Sequence, residues 1–559
     1  MATTTQNFDI HPLDLVYAVS QQHLNASLAT YFMALNHKIE FNYYIDDNGN
    51  YVPTALEKTP DISFSGTVFP VVDSEGNVKV DLIDMSAAGA LQPNQVRFQL
   101  TFAPGATFSY MGRKFRQDDP LNAPWVISMT TNLTSTVLSD NIPEALREQL
   151  ALLMKNYGEV FSLQQIATDL ATASAAAGIA NKDNSQSKIG QAIWSPLVDV
   201  MVLHLKANAA AGKIPLGYVI TKSTPAAATS KLKPTSTPEL TPTSAQLVVV
   251  PNKDTPALSA LVFPMMTQDR AMPTNFASLF SDVSLFGDVR TAAGVAIVST
   301  NLVRTVLRAN LDKEGVTAKA SQFLKVAANS KSPTTYTLAE GTGGIYEDTN
   351  PTGSAPPGTY LSFSFAQRSS DSWSFLSAHG GGTSSMQCNF SVSGSTASKD
   401  GGSLLTLKGT YRLTASETQG SLGWQMPWTT FPWSIQFVIG NSNTPGSYGA
   451  ITFTNQNEDF GSTPQPEDPS SWEKFLDAIN PFVSMAKDIG GIRGHLSKLL
   501  QEKLRPALIA SFAPLNKFVM IGGNVFTFSN VHLNSNYLLV TDIAYQSPTA
   551  APSPPPVEG

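Results

Sequence analysis

The sequence predicts an α+β fold in which long helices lie against antiparallel sheets. Residues 13–35 carry a helical pattern of apolar residues near the start of the chain, and a second long helical pattern precedes the closing strands within 471–545. Most of the intervening chain alternates apolar and polar residues, which is typical of strands. A long amphipathic helix against a sheet that is apolar on one side forms an apolar trough. This arrangement favours a hydrophobic cargo over catalysis.

Composition limits the classes to which the protein can belong. The 559 residues exceed what one hydrophobic core usually supports, so at least two domains are expected. Charged residues make up 14% of the chain, against about 25% in an average soluble protein. The net charge of −7 argues against a nucleic-acid partner. Cys388 is the single cysteine, which excludes a disulfide within the chain.

The first residues predict no export signal. No lysine or arginine precedes Lys38, so the basic region of a secretory signal peptide is missing. The sequence also lacks a run of about 18 apolar residues, so no membrane-spanning helix is expected. We therefore expect a protein that is cytoplasmic as synthesised, with leaderless release left open.

The first helical segment has one apolar and one polar face. Its apolar residues recur every three or four positions, and Gln21, Gln22, Asn25 and Thr30 are expected on the opposite, wet face. The segment is an ordinary core helix if the sheet covers its apolar face completely, and a lipid site if the cover is partial. The predicted lipid-binding residues here are Val16, Tyr17, Leu24, Leu28, Tyr31 and Phe32.

Period-two alternation and turn signals over 38–135 predict successive antiparallel hairpins. Asn48-Gly49 separates two strand-like runs, and Pro104-Gly105 marks another turn. Residues 143–214 return to a helical pattern. The proline- and threonine-rich stretch 223–246 predicts a linker or an exposed loop.

The second half repeats the alternation between sheet and helix. A strand over 295–298 is predicted to run into a helix, and 335–455 alternate as strands. A last helix follows a capping box at Ser470 and Glu473 and is expected to break at three glycines, Gly490, Gly491 and Gly494. Its apolar face supplies a second set of predicted lipid-binding residues, Phe475, Ile479 and Phe482.

Three tryptophans, Trp424, Trp428 and Trp433, lie within ten residues of the strand-rich region. They fit a packed corner of a sheet. They also fit an aromatic rim that meets a membrane interface, because an indole has one apolar and one polar edge. In the second alternative, the three tryptophans are predicted to form a rim through which the protein contacts a membrane peripherally.

No pattern of catalytic or metal-binding residues is present. The seven histidines are scattered, so zinc spacings such as HExxH are missing, as are a nucleophile elbow and a P-loop. The glycine clusters at 341–346 and 379–385 lack the strand-to-helix setting of an anion-binding loop and are expected as turns between strands. We predict no catalytic residues, no metal, no cofactor and no enzyme activity.

Two segments carry a resemblance to a known family. The opening LDLVYAVSQQHLN and the closing GGNVFTFSNVHLNSNYLLVTDIAY resemble the tubular lipid-binding (TULIP) superfamily, especially the accessory TULIP proteins encoded beside botulinum neurotoxins. The central VAIVSTNLVRTVLRANL is similar to a strand-to-helix step of those proteins. The resemblance implies long helices wrapped by curved antiparallel sheets, two TULIP-like units, and an apolar groove for lipid. It implies no catalytic residues.

The predicted units follow from this order of elements. The first is expected over 1–222 and the second over 247–546, with 223–246 between them and a disordered tail over 547–559. In the alternative arrangement, the N- and C-terminal segments belong to one unit into which the other is inserted.

Two classes of function remain open. In the first, the chain is a non-enzymatic protein that binds a lipid or another hydrophobic ligand, as an accessory factor of a toxin or secreted complex. In the second, side chains fill the grooves, and the chain is a structural protein that docks a partner protein. Nucleic acid is not an expected partner in either case.

Overall fold

The computed structural model describes residues 9–35, 37–54, 59–73, 78–86, 94–121, 124–138, 161–175, 191–208, 215–222, 240–280, 285–286, 293–329, 332–339, 358–396, 402–442, 449–461, 465–466, 480–517, 519–521 and 524–545.

The chain forms two compact units. The first comprises Met1–Ile297, Leu515–Thr527 and Asp542–Gly559, and the second comprises Val298–Pro514 and Phe528–Thr541. The first division along the chain thus falls after residue 297. The predicted units over 1–222 and 247–546, and the alternative with one unit inserted into the other, stay predictions. The described end of the predicted linker over 223–246 forms a strand, because its residues pair with a strand of the first unit.

The elements up to residue 298 are mostly strands. In chain order they are β1 (Leu15–Ser20), α1 (Gln21–Leu35), β2 (Lys38–Ile45), β3 (Tyr51–Pro53), β4 (Ile62–Thr67), β5 (Ile83–Asp84), β6 (Gln95–Thr101), β7 (Thr107–Tyr110), β8 (Arg113–Arg116), β9 (Val126–Leu138), β10 (Phe161–Ala175), α2 (Gln191–Ala207), β11 (Pro215–Lys222), β12 (Pro242–Ala245), β13 (Val248–Val250), β14 (Ala260–Thr267) and β15 (Gly294–Val298).

The remaining elements combine long strands with a helical region. In chain order they are α3 (Thr300–Lys313), α4 (Val316–Ala320), β16 (Phe323–Asn329), β17 (Ser332–Ala339), β18 (Thr359–Phe375), β19 (Ala378–Ser395), β20 (Ser403–Gln419), β21 (Leu422–Gln425), β22 (Thr429–Asn441), β23 (Ile451–Asp459), β24 (Gln465–Pro466), α5 (Asn480–Lys498), a π-helical segment (Leu499–Leu504), α6 (Arg505–Phe512), β25 (Val519–Ile521), β26 (Asn524–Leu533) and β27 (Leu539–Tyr545).

The main sheet of the first unit has β1 as an interior strand, third from one end. The strand order among the described residues is β12-β14-β1-β15-β27-β26-β25-β11-β10-β9-β6-β5, with β13 also on β14. Strands β26 and β27 contribute residues to both units. Because β1 lies between β14 and β15 and packs on both faces, all of its residues are buried. A strand that is buried on both faces is a continuous apolar run.

A second sheet of the first unit has the order β3-β2-β4-β7-β8. The predicted hairpin at Asn48-Gly49 is confirmed, since β2 and β3 pair antiparallel across it and Gly49 has a φ of 81°. The turn at Pro104-Gly105 is also present, but the strands that it joins do not pair with each other. Instead β6 pairs with β9 in the main sheet, and β7 pairs with β4 and β8.

The second unit is built on a sheet of the order β18-β19-β20-β22-β23, with β21 on β20 and β24 on β22. Its strands alternate buried apolar residues with half-exposed serine and threonine, so one face is a core face. Helices α3, α5 and α6 contact β18, β22 and β23. The predicted step from strand to helix is confirmed, and the Ser299 side chain caps α3 by accepting from the Leu302 N–H at 3.2 Å.

Three predicted helices differ from the structure. The helix predicted over 13–35 begins only at Gln21, because the preceding apolar run is the interior strand β1. The helical prediction over 143–214 is wrong at β10, which is a strand that pairs with β9 and β11. This long-range pairing overrides the helical propensity of its Gln, Leu and Ala residues. The three glycines do not interrupt α5, because the apolar residues around them, Ile489, Ile492 and Leu496, are fully buried and hold the helix in place.

Candidate functional site

Helix α1 turns the predicted lipid-binding stripe toward the interior of the first unit. Leu24, Leu28 and Phe32 are each no more than 1% exposed. The helix contacts β1, β5 and the turn Pro256–Leu258. The protein's own residues therefore cover the described part of this stripe.

The other predicted lipid-binding residues do not share that helix face. Val16 and Tyr17 are fully buried, but they lie on β1 rather than on α1. Phe475 and Ile479 fall outside the described residues, as do the side chains of Tyr31 and Phe482. The structure thus brings three of the predicted residues together on α1 and separates two of them onto the neighbouring strand.

Two polar residues anchor β1, and the sequence did not reveal their role. Asp14 is fully buried; its carboxylate accepts from the Thr267 N–H at 2.8 Å and the Thr267 hydroxyl at 2.9 Å, and it pairs with Arg270. The Tyr17 hydroxyl donates to the Leu515 carbonyl oxygen at 2.6 Å. The sequence feature that could have revealed this anchor is Asp14 itself, an acidic residue directly before the apolar run of β1.

A buried polar clip holds the first turns of α1. Gln21 and Asn25, predicted on the wet face, are fully buried. Their amide groups donate to the two carboxylate oxygens of Asp81, at 2.8 and 3.0 Å. Each amide oxygen also accepts from a backbone N–H, Gln21 from Met85 at 2.5 Å and Asn25 from Ile83 at 2.8 Å. Buried amides need such partners, so tertiary contacts explain both residues.

The clip makes the stability of the first unit depend on pH. Burial raises the pKa of Asp81 to about 6, Asp84 adds to the rise, and the hydrogen bond from Gln21 opposes it. A carboxyl with a raised pKa stabilises the fold at low pH, and this contribution is lost as pH rises through the folded pKa. We expect the unfolding free energy of wild type, relative to that of Asp81→Asn, to rise by about 2 kcal/mol between pH 7 and pH 4.5.

Urea unfolding of both proteins at the two pH values measures this difference. Subtracting the unfolding free energy of the variant from that of wild type removes the contribution of every other titrating group that the two proteins share. A difference between wild type and variant that stays constant with pH would contradict the role of Asp81.

The three tryptophans of the predicted membrane rim have different surroundings in the second unit. Trp433 is buried, with its ring 5.9 Å from that of Phe460. Trp428 is half-buried beneath the Arg412 guanidinium, 4.4 Å from the ring centre. Trp424 is half-buried and donates from its indole nitrogen to Glu417 at 3.0 Å. The three indoles therefore do not lie side by side on an open surface.

A cavity of about 520 Å³ lies on the sheet of the second unit. It follows a row of residues in register across the strands, with Ser391 opposite Lys408 and Lys408 opposite Ser434. Most of the lining side chains are hydroxyl, amide or charged groups. Phe390, Pro432 and Trp433 complete the lining, and most of its accessible surface is apolar, so the lining does not favour a polar ligand over an apolar one.

The glycines of 379–382 have a packing role. They lie within β19, not in a turn as the sequence predicted. A Cβ at Gly380 would come within 2.5 Å of the Trp373 ring, and one at Gly382 within 2.5 Å of the Thr334 side chain. Glycine is required here because neighbouring side chains lie directly on the strand backbone. The cluster at 341–346 falls outside the described residues.

Neither metal-ligand clusters nor spanning helices occur in the described part of the chain. No group of three or more His, Cys, Asp or Glu side chains there could hold a metal ion. None of the described helices is long and apolar enough to cross a membrane.

Fold and site together define a sheet-dominated protein of mixed α and β structure, with an apolar helix stripe buried in its first unit. No family model matches the sequence, and no curated protein is similar to it. P47 from Clostridium botulinum A2 is a structural neighbour with 10% identity and a TM-score of 0.43, over 96% of this chain and 98% of that one. P47 of Clostridium botulinum E1 has 10% identity and a TM-score of 0.44, over 96% and 99%.

A third neighbour is a lipopolysaccharide binding protein. It has 8% identity and a TM-score of 0.27, over 96% of this chain and 99% of that one. These values describe a distant likeness, from which no residue role follows.

Proposed function

We propose that the chain is a non-enzymatic protein that binds a lipid or another amphiphile, with a long helix wrapped by curved antiparallel sheet in its first unit. The observation that carries the proposal is the composition and placement of α1. This helix contains no Asp, Glu, Lys or Arg, and Leu24, Leu28 and Phe32 face the interior of the first unit. An uncharged helix over an apolar sheet makes a layer in which an acyl chain loses its contact with water without burying a charge.

Burial of one acyl chain in such a layer would give useful affinity. A chain of about ten methylenes gains roughly 8 kcal/mol on burial, before the cost of ordering it, and micromolar binding needs about that much. The clip at Gln21 and Asn25 fixes the first turns of α1. We therefore place the entering chain beside Leu28 and Phe32, where it separates the helix from the sheet.

Native mass spectrometry of the purified full chain tests the proposal. We expect a bound amphiphile that collisional activation releases, and a rise in melting temperature when dodecanoate is added. Leu28→Trp should fill the layer and reduce both signals. Met33→Trp is the matched control, because Met33 is 44% exposed on the same helix. Circular dichroism verifies that both variants are folded.

The second candidate is an interaction protein whose grooves are filled by its own side chains. The full burial of Leu24, Leu28 and Phe32 favours this alternative. A purified protein that carries no amphiphile, and whose melting temperature does not respond to dodecanoate, would support it and contradict lipid binding. A role as an accessory factor of a toxin or secreted complex stays a prediction from the family resemblance in either case.

A further inference from the structure

Two neighbouring hairpin ends of the second unit expose large apolar side chains. Leu376, at the turn between β18 and β19, is 89% exposed, and the adjacent Phe375 is 47% exposed. Leu422, at the turn between β20 and β21, is 75% exposed. The Gly420 N–H donates to the His379 carbonyl oxygen at 2.9 Å, so the two turns lie side by side. We call Phe375, Leu376 and Leu422 the tip patch.

Neither the backbone nor the core of the unit explains a leucine at the first turn. Leu376 has a φ of 57°, a left-handed conformation that glycine or asparagine adopts at lower cost. Its side chain is surrounded by solvent instead of protein. A leucine with an unfavourable backbone conformation and an exposed side chain does not stabilise the fold. Such a residue indicates a binding surface.

The two turns also lack formal charge. Segments 372–380 and 418–425 contain no Asp, Glu, Lys or Arg. Hairpin turns on a solvated surface normally carry polar residues. Moving these segments out of water would therefore not require the desolvation of a side-chain ion.

On each hairpin an amphipathic aromatic residue lies two positions behind the exposed apolar residue. Trp373 is two residues from Phe375, and Trp424 is two residues from Leu422, so each pair shares a face of its strand. The Tyr336 ring lies 6.1 Å from that of Trp424, and its hydroxyl donates to the Ser416 carbonyl oxygen at 2.9 Å. All three rings are half-buried. We call Trp373, Trp424 and Tyr336 the aromatic collar.

We propose that the tip patch inserts into the surface of a neutral lipid bilayer, with the aromatic collar at the level of the headgroups. A bilayer changes from polar to apolar over a short depth, and indole and phenol rings favour the boundary. Along each hairpin the collar residue lies behind the patch residue, and the strand register places Trp373 level with Leu422. Phe375 and Leu376 would therefore lie deepest in that gradient. A convex tip formed by hairpin turns also suits a fluid layer, whereas partner-protein interfaces are broader surfaces with a polar rim.

This membrane surface is independent of the amphiphile site proposed in the first unit. It also differs from the rim predicted from the sequence. Trp424 belongs to the collar, but Trp433 is buried, and Trp428 lies under Arg412. A negative result for the tip patch therefore does not contradict amphiphile binding by the first unit, and the reverse also holds.

Sedimentation of the full chain with phosphatidylcholine vesicles tests the bilayer as partner. We expect wild type to bind, with little change in 0.5 M salt because the contact is apolar. The double variant Leu376→Ser, Leu422→Ser should lower the partition coefficient at least about tenfold, because burying even one leucine contributes that much. Leu121→Ser is the matched control, since Leu121 is a 51% exposed leucine of the first unit.

A fluorescent probe locates the contact. An environment-sensitive dye on Ser377→Cys should shift to the blue with vesicles and be quenched by lipids that carry a nitroxide in the acyl chain. The native Cys388 will not compete, because it is buried and burial raises the pKa of its thiol. The same dye on Thr107→Cys, an exposed position of the first unit, should not respond. No vesicle binding by wild type, or equal binding by the double variant, overturns the proposal.

Discussion

Replacing Asp14 by alanine should lower the unfolding free energy of the first unit by at least about 2 kcal/mol, because each buried donor left without its acceptor costs about 1–3 kcal/mol. The carboxylate is fully buried, accepts two hydrogen bonds from Thr267 and pairs with Arg270. Alanine leaves both Thr267 donors without this acceptor beside β1. Asp14→Asn keeps an acceptor oxygen and should lose less stability.

Hydrogen exchange followed by mass spectrometry measures this effect on peptides that cover β1. Faster exchange in Asp14→Ala than in wild type is the expected result. The matched control is Asp118→Ala, because Asp118 pairs with Arg116 at 3.3 Å on the surface, where both side chains are at least 70% exposed. An exposed pair contributes at most about 1 kcal/mol. Equal effects of the two substitutions would contradict the anchoring role of Asp14.

Gly294→Ala should destabilise the first unit by about 3 kcal/mol or more, because it overfills a site that cannot relax. A Cβ at this position would lie 2.2 Å from the carbonyl oxygen of Ala18 on β1. The obstacle is backbone in the middle of a buried strand, so no side-chain rotation can remove it. The two strands would have to separate.

Thermal and urea unfolding measure the loss of stability in Gly294→Ala. The control is a glycine whose missing side chain has free space around it. Gly490 lies within α5 with no atom near its missing Cβ, so Gly490→Ala should instead stabilise the protein by about 1 kcal/mol. A Gly294→Ala variant as stable as wild type would show that β1 and β15 can move apart without cost.

Elements with a strong local signal could be predicted from the sequence. The hairpin at Asn48-Gly49 needs a left-handed residue in a tight turn, and Gly49 supplies it. The helix α3 begins where Ser299 can cap it, and its apolar residues repeat with the helical period. The alternating strands of the second unit show their core face in their composition. Each of these features depends on residues close together in the chain.

Elements whose partners are distant in sequence could not be predicted. An apolar run such as that of β1 has the same composition as a buried helix turn, and only its place between β14 and β15 makes it a strand. β10 carries helix-favouring residues, yet pairing on both sides holds it extended. Gly294 shows the same limit, because the sequence cannot reveal which backbone lies against it.

The candidate site likewise has features that the sequence predicted and features that depend on tertiary contacts. Periodicity alone identified Leu24, Leu28 and Phe32 as one face of α1, and the structure places them together. It also suggested a wet face for Gln21 and Asn25, which tertiary hydrogen bonds to Asp81 bury instead. Local periodicity determines which residues share a face, but not what lies opposite that face.

By itself, therefore, the sequence determined the alternation of sheet and helix, the main turns, and the absence of familiar catalytic motifs. Only the tertiary structure decided that Asp14 meets Arg270, 256 residues further along the chain, and that Trp433 is buried while Leu376 is exposed. The physical reason is that turns, caps and periodicity arise within a few residues. Burial and the pairing of charges depend instead on which distant segments come into contact.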